Sequence, residues 1–496
     1  MPFPSSGCQT CRDRRIKCDK TKPICQRCIK SQRTCCGMGD QQVWHAENAY
    51  ASRQKKRPRG PRSTRMDVVI PSHVSIDLKA CAITYYIHNY LHDPQGIPDI
   101  VKDVVRACLP ILPATPWCSV LDLAVSSLAL AVFSRTQHYP QAAIEASTTY
   151  HQLLQVTQTA INRVNPGNID ACLLAIFFMG RYEDAVLHPD HTALSRPSFP
   201  SFSHHDGALA ILKLWNDRLS RDQPATKVIQ HTRRGSIRSA LMRKTNLPEW
   251  VRDGRFYGEH GLELEYGRVL VWLVNLRHRL WTITDEIASV QHLSPDLTSR
   301  VDQLNNEALH LDEELEACIS HVPHTWNDLQ VHTLSNTDLP SWPSSDFYSP
   351  TIYTYSNPAY AALWGQYHAT RLITKNTRLR ILALFNTRDL ASEQQFVSQM
   401  QAISDNLASV IPFCLRRFKA IQDSTSSSHS PIILNLNEEI KPSDATLVIW
   451  PLTIASSLKY MDVEQKRWFK GQLARIGKLV GFGILESAAS DQWLEL

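Results

Sequence analysis

The chain has 496 residues, 43% of them hydrophobic, which is enough for a large core and more than one domain. Its net charge of +6 is unevenly placed: residues 1–65 hold 16 Lys and Arg against 4 Asp and Glu, a balance of +12, and the remainder balances at −6. A short basic head of this kind binds a polyanion, with nucleic acid the leading candidate, and the mildly acidic body is excluded from that role. Residues 1–6 (Met-Pro-Phe-Pro-Ser-Ser) have neither a charged start nor an apolar run, so no secretory signal is read there.

The first element is a cysteine array: Cys8, Cys11, Cys18, Cys25, Cys28 and Cys35. Cys8, Cys11 and Cys18 recur as Cys25, Cys28 and Cys35, each shifted by 17 residues, so two half-sites of three thiols make one pseudo-symmetric metal module. Zinc prefers four thiolates in a tetrahedron, so one ion would leave two thiols unused and two separate ions would need more thiols than the array has. Two zinc ions are satisfied when two sulfurs bridge, giving a cluster of formal charge about −2. Arg12, Arg14, Arg15, Lys17, Lys20, Lys22, Arg27, Lys30 and Arg33 surround that charge. A disulfide scaffold would need an oxidising compartment, and an iron–sulfur site would want closer cysteine runs. Cys36 adjoins Cys35, and the 17-residue repeat selects Cys35 as the sixth ligand.

The stretch Gly7-Cys8-Gln9-Thr10-Cys11-Arg12-Asp13-Arg14-Arg15-Ile16-Lys17-Cys18-Asp19, with Lys22-Pro23-Ile24-Cys25-Gln26-Arg27-Cys28, resembles the fungal Zn2Cys6 binuclear-cluster DNA-binding domain. The resemblance implies that Cys8 and Cys25 are the bridging ligands. It also implies that the first helix enters the major groove and reads a CGG-type triplet, through the matching cations Arg14, Arg15 and Lys17. Gly37 and Met38 stand where that family often carries an aromatic residue.

Residues 12–18 read as a short helix opening after Cys11, with Ile16 its only bulky apolar side chain. Its four cations make the first half the better major-groove reader, and an arginine can bond guanine O6 and N7 bidentately. The DNA-contacting set is read as Arg12, Arg14, Arg15, Lys17, Lys20 and Lys22, one or two on base edges and the rest on phosphates. No heptad repeat follows between residues 38 and 75, so no dimerising coiled coil is read in that stretch. Residues 53–65 hold seven cations, Arg53, Lys55, Lys56, Arg57, Arg59, Arg62 and Arg65, and no acid. Pro58, Gly60 and Pro61 make that run a non-helical linker, read as a nuclear-localisation signal that also touches DNA phosphates.

From about residue 75 the chain turns helical. Helices are predicted over 77–91, 121–133, 141–163, 169–185, 207–219, 261–290, 301–319, 359–385, 393–411, 445–460 and 463–479. The clearest stripe is Leu262, Tyr266, Val269, Leu273, Leu276, Leu280, Ile283, Ile287 and Val290. Val271, Trp272 and Val274 widen it beyond a two-stranded seam, so packing inside the body is preferred to a coiled coil. Residues 186–204, 331–351 and 421–444 are proline- or serine-rich and read as surface loops, partly disordered. The apolar run 121–133 is too short to span a bilayer.

His204-His205-Asp206-Gly207-Ala208, and Trp450-Pro451-Leu452 with Arg467-Trp468-Phe469 and Gly481-Phe482-Gly483, resemble signatures of fungal transcription-factor regulatory regions. His188, Asp190, His191, His204, His205 and Asp206 raise a second metal site, but a proline-bound loop and a helix start, with Asp206 near the N-cap, read better. No HExxH, phosphate loop, nucleophile elbow or GxGxxG is present. Arg233-Arg234-Gly235-Ser236 matches a basophilic kinase site. Residues 491–496 mix acid and bulky apolar side chains, as a coactivator contact or as the last helix fraying.

The expected architecture is a small binuclear zinc-cluster module plus a large all-α helical-array domain: head 1–37, basic linker 38–74, body 75–496. The expected function is zinc-dependent, sequence-specific regulation of transcription at RNA polymerase II promoters, of genes such as those of metabolic pathways, with no enzyme activity. Two Zn2+ per chain, double-stranded DNA, a second copy as a dimer, transcriptional coregulators, no membrane and a nuclear location complete the reading. The alternative is a helical scaffold or enzyme with a purely structural zinc module.

Overall fold

A computed structural model describes residues 7–8, 10–11, 14, 16–21, 24–35, 77–91, 117–187, 199–220, 224–289, 294–334, 342–385, 390–420, 432–491 and 493–496. The chain divides into two compact units, Met1–Ser75 and Ile76–Leu496. Linker residues 38–74, with the localisation cations and the stretch read as lacking a coiled coil, lie outside the described residues.

In the first unit a short helix, α1 (Gln26–Lys30), follows Cys25. Among the described residues the buried side chains clustered there are Cys8, Cys11, Cys25 and Cys28, with Ile16, Cys18 and Cys35 half-buried against them. Such a core cannot offset the cost of ordering some thirty residues, roughly 1–2 kcal/mol each, so the unit is built to be closed by metal.

The second unit is a helical array. Its elements are α2 (Leu78–Tyr86, running into a π turn at Ile87–Leu91), α3 (Trp117–Thr136), α4 (Pro140–Ala160), α5 (Ile169–Val186), α6 (Phe202–Leu214), α7 (Lys227–Arg243), α8 (Glu249–Arg252), α9 (Gly261–Ala288), α10 (Pro295–Ser320), α11 (Pro358–Leu382), α12 (Leu390–Cys414), α13 (Pro442–Ser457), α14 (Val463–Val480) and α15 (Gly483–Glu486). Their starts follow local chemistry: Asp77, Thr226, Ser294, Asn357 and Asp462 each accept a backbone N–H at the first turn of α2, α7, α10, α11 and α14. Gly481, at φ 71°, ends α14 in the left-handed region.

Helix α3 packs against α2, α4 and α5, while α11 packs against α10, α12 and α13. Helix α9 sits among α7, α10 and α11, and Val269, Leu273, Leu276, Leu280 and Ile283 of its stripe are buried there. The stripe is spent inside the body, as its width implied.

Three features depart from the expected pattern. Helix α7 was not anticipated, because polar side chains interrupt its inward face: Gln230, Arg233, Ser236 and Ser239 are buried beside Val228, Ile229, Ile237, Ala240 and Leu241. Two antiparallel ribbons also appear, β1 (Gln330–Thr333) with β2 (Thr351–Thr354), and β3 (Phe418–Ala420) with β4 (Ile432–Leu434). Phe347 and Asp346, in the segment read as a surface loop, are buried, Phe347 in a small second core with Leu334, Ile352 and Phe418. No described helix is long and apolar enough to cross a membrane.

Candidate metal centre and nucleic-acid interface

The fold of the head brings all six predicted cysteines together. The sulfurs of Cys8, Cys11, Cys18 and Cys25 lie within 4.8 Å of one another, and so do those of Cys8, Cys25, Cys28 and Cys35. The two groups of four share Cys8 and Cys25. Measured separations are 3.6 Å for Cys8–Cys25, 3.8 Å for Cys8–Cys28 and 3.8 Å for Cys11–Cys25. A tetrahedral zinc with Zn–S bonds of about 2.3 Å places its sulfurs about 3.8 Å apart. A disulfide needs about 2.05 Å, so the spacing fits two tetrahedral ions with two shared sulfurs and does not fit cystine. Cys36 lies outside the described residues.

The sequence repeat is also a hydrogen-bond repeat. The Cys11 N–H donates to the Cys8 carbonyl at 3.1 Å and lies 3.4 Å from its Sγ, and the Cys28 N–H meets Cys25 at 3.0 and 3.4 Å in the same way. Ile16 donates to the Cys11 carbonyl at 3.0 Å, and Arg33, 17 residues on, to the Cys28 carbonyl at 2.9 Å. The helix expected over 12–18 does not reach its end, because Ile16, Lys17 and Cys18 are non-helical. There the chain turns back so that the Cys8 and Lys20 N–H groups reach the Cys18 sulfur, each at 3.4 Å, with Lys20 at φ 62°.

Protein groups alone hold Cys8, Cys11 and Cys28 away from the thiolate form. Burial first, and then neighbouring thiols, raise Cys11 and push Cys28 up to about 12. Cys18 runs the other way: the backbone N–H groups of Cys8 and Lys20 bring it down to about 7. Thiolate ligation of the whole set therefore calls for divalent positive charge, which zinc supplies.

Two positions escaped sequence reasoning. Asp19 accepts from the Thr21 N–H and hydroxyl, from Gln26 N–H at 3.1 Å and from Arg27 N–H at 2.8 Å. It ties the loop between the half-sites to the start of α1, and those donors, led by the Thr21 hydroxyl, hold its carboxyl below the usual range. Asp-x-Thr, an Asx-turn pattern after a ligand cysteine, was the available signal. Gly7 is buried, and a Cβ there would lie 2.7 Å from the Cys18 Cβ. Of the expected DNA contacts, Arg14, Lys17 and Lys20 are exposed beside the cluster. Arg12, Arg15 and Lys22 lie outside the described residues, as do Arg53, Lys55, Lys56, Arg57, Arg59, Arg62 and Arg65.

The model of the fungal Zn(2)-Cys(6) binuclear cluster domain matches residues 6–43. The head is a Zn(2)-Cys(6) binuclear cluster domain. Such a domain binds two zinc ions. An uncharacterised transcriptional regulatory protein of Schizosaccharomyces pombe is 69% identical over 32 residues, 6% of this chain and 6% of that protein. The transcription activator AMTR1 of Alternaria alternata is 43% identical over 44 residues, 9% of this chain and 6% of its own length. The sorbicillinoid biosynthetic cluster transcription factor sor3 of Hypocrea jecorina is 32% identical over 80 residues, 16% of this chain and 11% of its own. The chain thus matches only a small fraction of these relatives' length. No solved structure matches it.

The remaining body motifs resolve structurally. The two cysteine groups are the metal-holding clusters found among the described residues. His204 meets Glu183 at 2.9 Å and Tyr150 at 3.1 Å; Asp206 sits inside α6 rather than at its cap, paired with Arg243 at 2.8 Å. His188, Asp190 and His191 lie outside the described residues. Two of the kinase-like tetrapeptide's key side chains are withdrawn from solvent: Arg233 is 1% exposed, paired with Glu259 at 2.6 Å, and the buried Ser236 donates to the Thr232 carbonyl. After α15 the two ends of residues 493–496 are tied into the body, with Leu494 between them half-buried. Trp493 is buried and donates to the Ser456 hydroxyl at 2.9 Å, and the Leu496 N–H donates to the Ser457 carbonyl at 2.8 Å.

Proposed function

We propose that the chain is a sequence-specific regulator of transcription that binds double-stranded DNA through a zinc-dependent head, acts in the nucleus at RNA polymerase II promoters, and carries no catalytic activity. The observation that carries this reading is the pair of four-sulfur groups sharing Cys8 and Cys25 in a stretch matched by the binuclear cluster family, whose relatives are named as transcriptional regulators. Cys8, Cys11, Cys18, Cys25, Cys28 and Cys35 hold the two ions, with Cys8 and Cys25 bridging. Residues 1–37 form the DNA-binding head, 38–74 the basic linker with the localisation signal, and 75–496 the regulatory body.

Arg14, Arg15 and Lys17 face a CGG-type triplet in the major groove, while Arg12, Lys20 and Lys22 position the head on phosphates. The body binds coregulators and a second copy of the chain. Control of a metabolic pathway is supported by sor3, a relative named for a biosynthetic cluster.

Selection of bound duplexes from a random pool, repeated over a salt series, tests the reading. A short G/C triplet should be enriched, and each phosphate neutralised should contribute about −0.9 to the slope of log affinity against log salt. Cys11→Ser and Cys28→Ser should release zinc and abolish binding together. Absence of selection above bulk DNA, with zinc bound, would instead favour a structural zinc module on a helical scaffold.

A further inference from the structure

Among the described residues, four basic side chains of the body are buried: Arg233, Arg277, Lys375 and Arg417. Three of them meet a carboxylate. Arg233 pairs with Glu259 at 2.6 Å, Lys375 with Asp312 at 2.6 Å and Arg417 with Asp346 at 2.8 Å. Arg277, in the middle of α9, is 1% exposed and has no acidic partner among the described residues. Its Nη1 donates to the Thr377 hydroxyl of α11 at 2.9 Å, and its Nε and Nη2 reach no acceptor among the described residues. A guanidinium cannot shed its charge at neutral pH, so burying it unpaired is costly.

Further cations lie close by. The Trp281 indole, one turn along α9, has Arg277 at 6.0 Å, Arg380 at 4.8 Å and Lys244 at 3.7 Å from its ring centre. Arg380 is the strongest charge acting on Arg277, and burial together with Arg380 pushes Arg277 down to about 9. Arg380 spends its Nη2 on Glu495 and on the Leu496 main-chain oxygen, but its Nε is buried without an acceptor. The Trp281 Nε1 is in the same position. Among the described residues every unmet group in this patch is a donor, and beside two guanidiniums an anionic acceptor is the best match.

We propose that Arg277, Thr377, Arg380 and Trp281 form an internal receptor for one oxyanion group, a carboxylate or a phosphate, carried by a small molecule. The paired oxygens of such a group suit the fork of a guanidinium, and the indole N–H offers a further donor. The site lies between α9 and α11, so its occupancy couples to helices whose contacts run on to α7, α10, α12 and α13.

The test uses the full zinc-loaded chain. Thermal unfolding and tryptophan emission are followed while inorganic phosphate, acetate or succinate is added at ionic strength held with sodium chloride. At least one of the three should raise Tm saturably and shift an emission component that Trp281→Phe removes. Arg277→Met, of similar length without the charge, should weaken that response tenfold or more. Thr377→Val keeps the charge and loses only the positioning hydroxyl, so it should weaken the response severalfold, and it carries the test if Arg277→Met does not fold. No saturable response to any of the three, or an equal response in wild type and both variants, overturns the proposal and leaves Arg277 as a guanidinium satisfied by water.

Discussion

Substitution of Gly7 by alanine is a sharp test of the cluster geometry. A Cβ at position 7 would lie 2.7 Å from the Cys18 Cβ, whereas carbon atoms in ordinary contact sit about 3.5–4.0 Å apart. Something must open by about 1 Å, yet zinc–ligand distances hold to about 0.2 Å. Relief by moving Cys18 pulls its sulfur from the group it forms with Cys8, Cys11 and Cys25. Overpacking of this size costs about 1–3 kcal/mol, which is roughly 5- to 150-fold in zinc affinity for that half of the cluster. Chelator competition with a metal-sensitive dye, combined with a count of zinc per chain, should show one ion leaving early and DNA affinity falling with it. Gly471→Ala, in α14 with open space around the new methyl, is the matched control and should leave the head unchanged. Two tightly held ions and wild-type DNA affinity in Gly7→Ala would refute the geometric argument.

The other predictions concern the body. Arg233→Met leaves the buried Glu259 carboxylate with Arg234 alone, at 3.2 Å, and should cost about 3 kcal/mol in urea unfolding, while pairing it with Glu259→Leu should recover part of that loss. A basic-directed kinase should not label Ser236 in the folded chain, though it should label a peptide spanning residues 230–240. Burial raises Asp184 to about 6, so its folded value lies above its unfolded one. The contribution is therefore present below about pH 4 and is lost as pH rises through 6; Asp184→Asn should flatten that slope and raise neutral-pH stability by on the order of 2 kcal/mol. Trp493→Ala should lower the body's unfolding free energy by about 3–5 kcal/mol without releasing zinc from the head.

Much of the head was legible because metal ligation is written in spacing. Six cysteines at a 17-residue repeat imply two ions and two shared sulfurs, and the folded sulfurs fall into two groups sharing Cys8 and Cys25. Helices such as α9 and α14 were legible for a related reason, since an apolar side chain every three or four residues has one efficient burial. Helix α7 was not, because Gln230 and Arg233 look solvent-facing until their partners, the Tyr257 carbonyl and Glu259, are known. The same blindness made residues 233–236 look like a kinase site and residues 491–496 look like a loose tail.

By itself, then, the sequence determined where the metal goes, where positive charge gathers and which long helices form, because spacing, charge and periodicity act along the chain. Only the tertiary structure decided which polar groups are paired. It matched Arg233 to Glu259, tied Asp19 to α1, pressed Gly7 against Cys18 and left Arg277 without an acid among the described residues. Desolvation is a property of the packed interior, and the groups that meet there are far apart in the chain, 100 residues for Arg277 and Thr377 and 390 for Tyr90 and Val480.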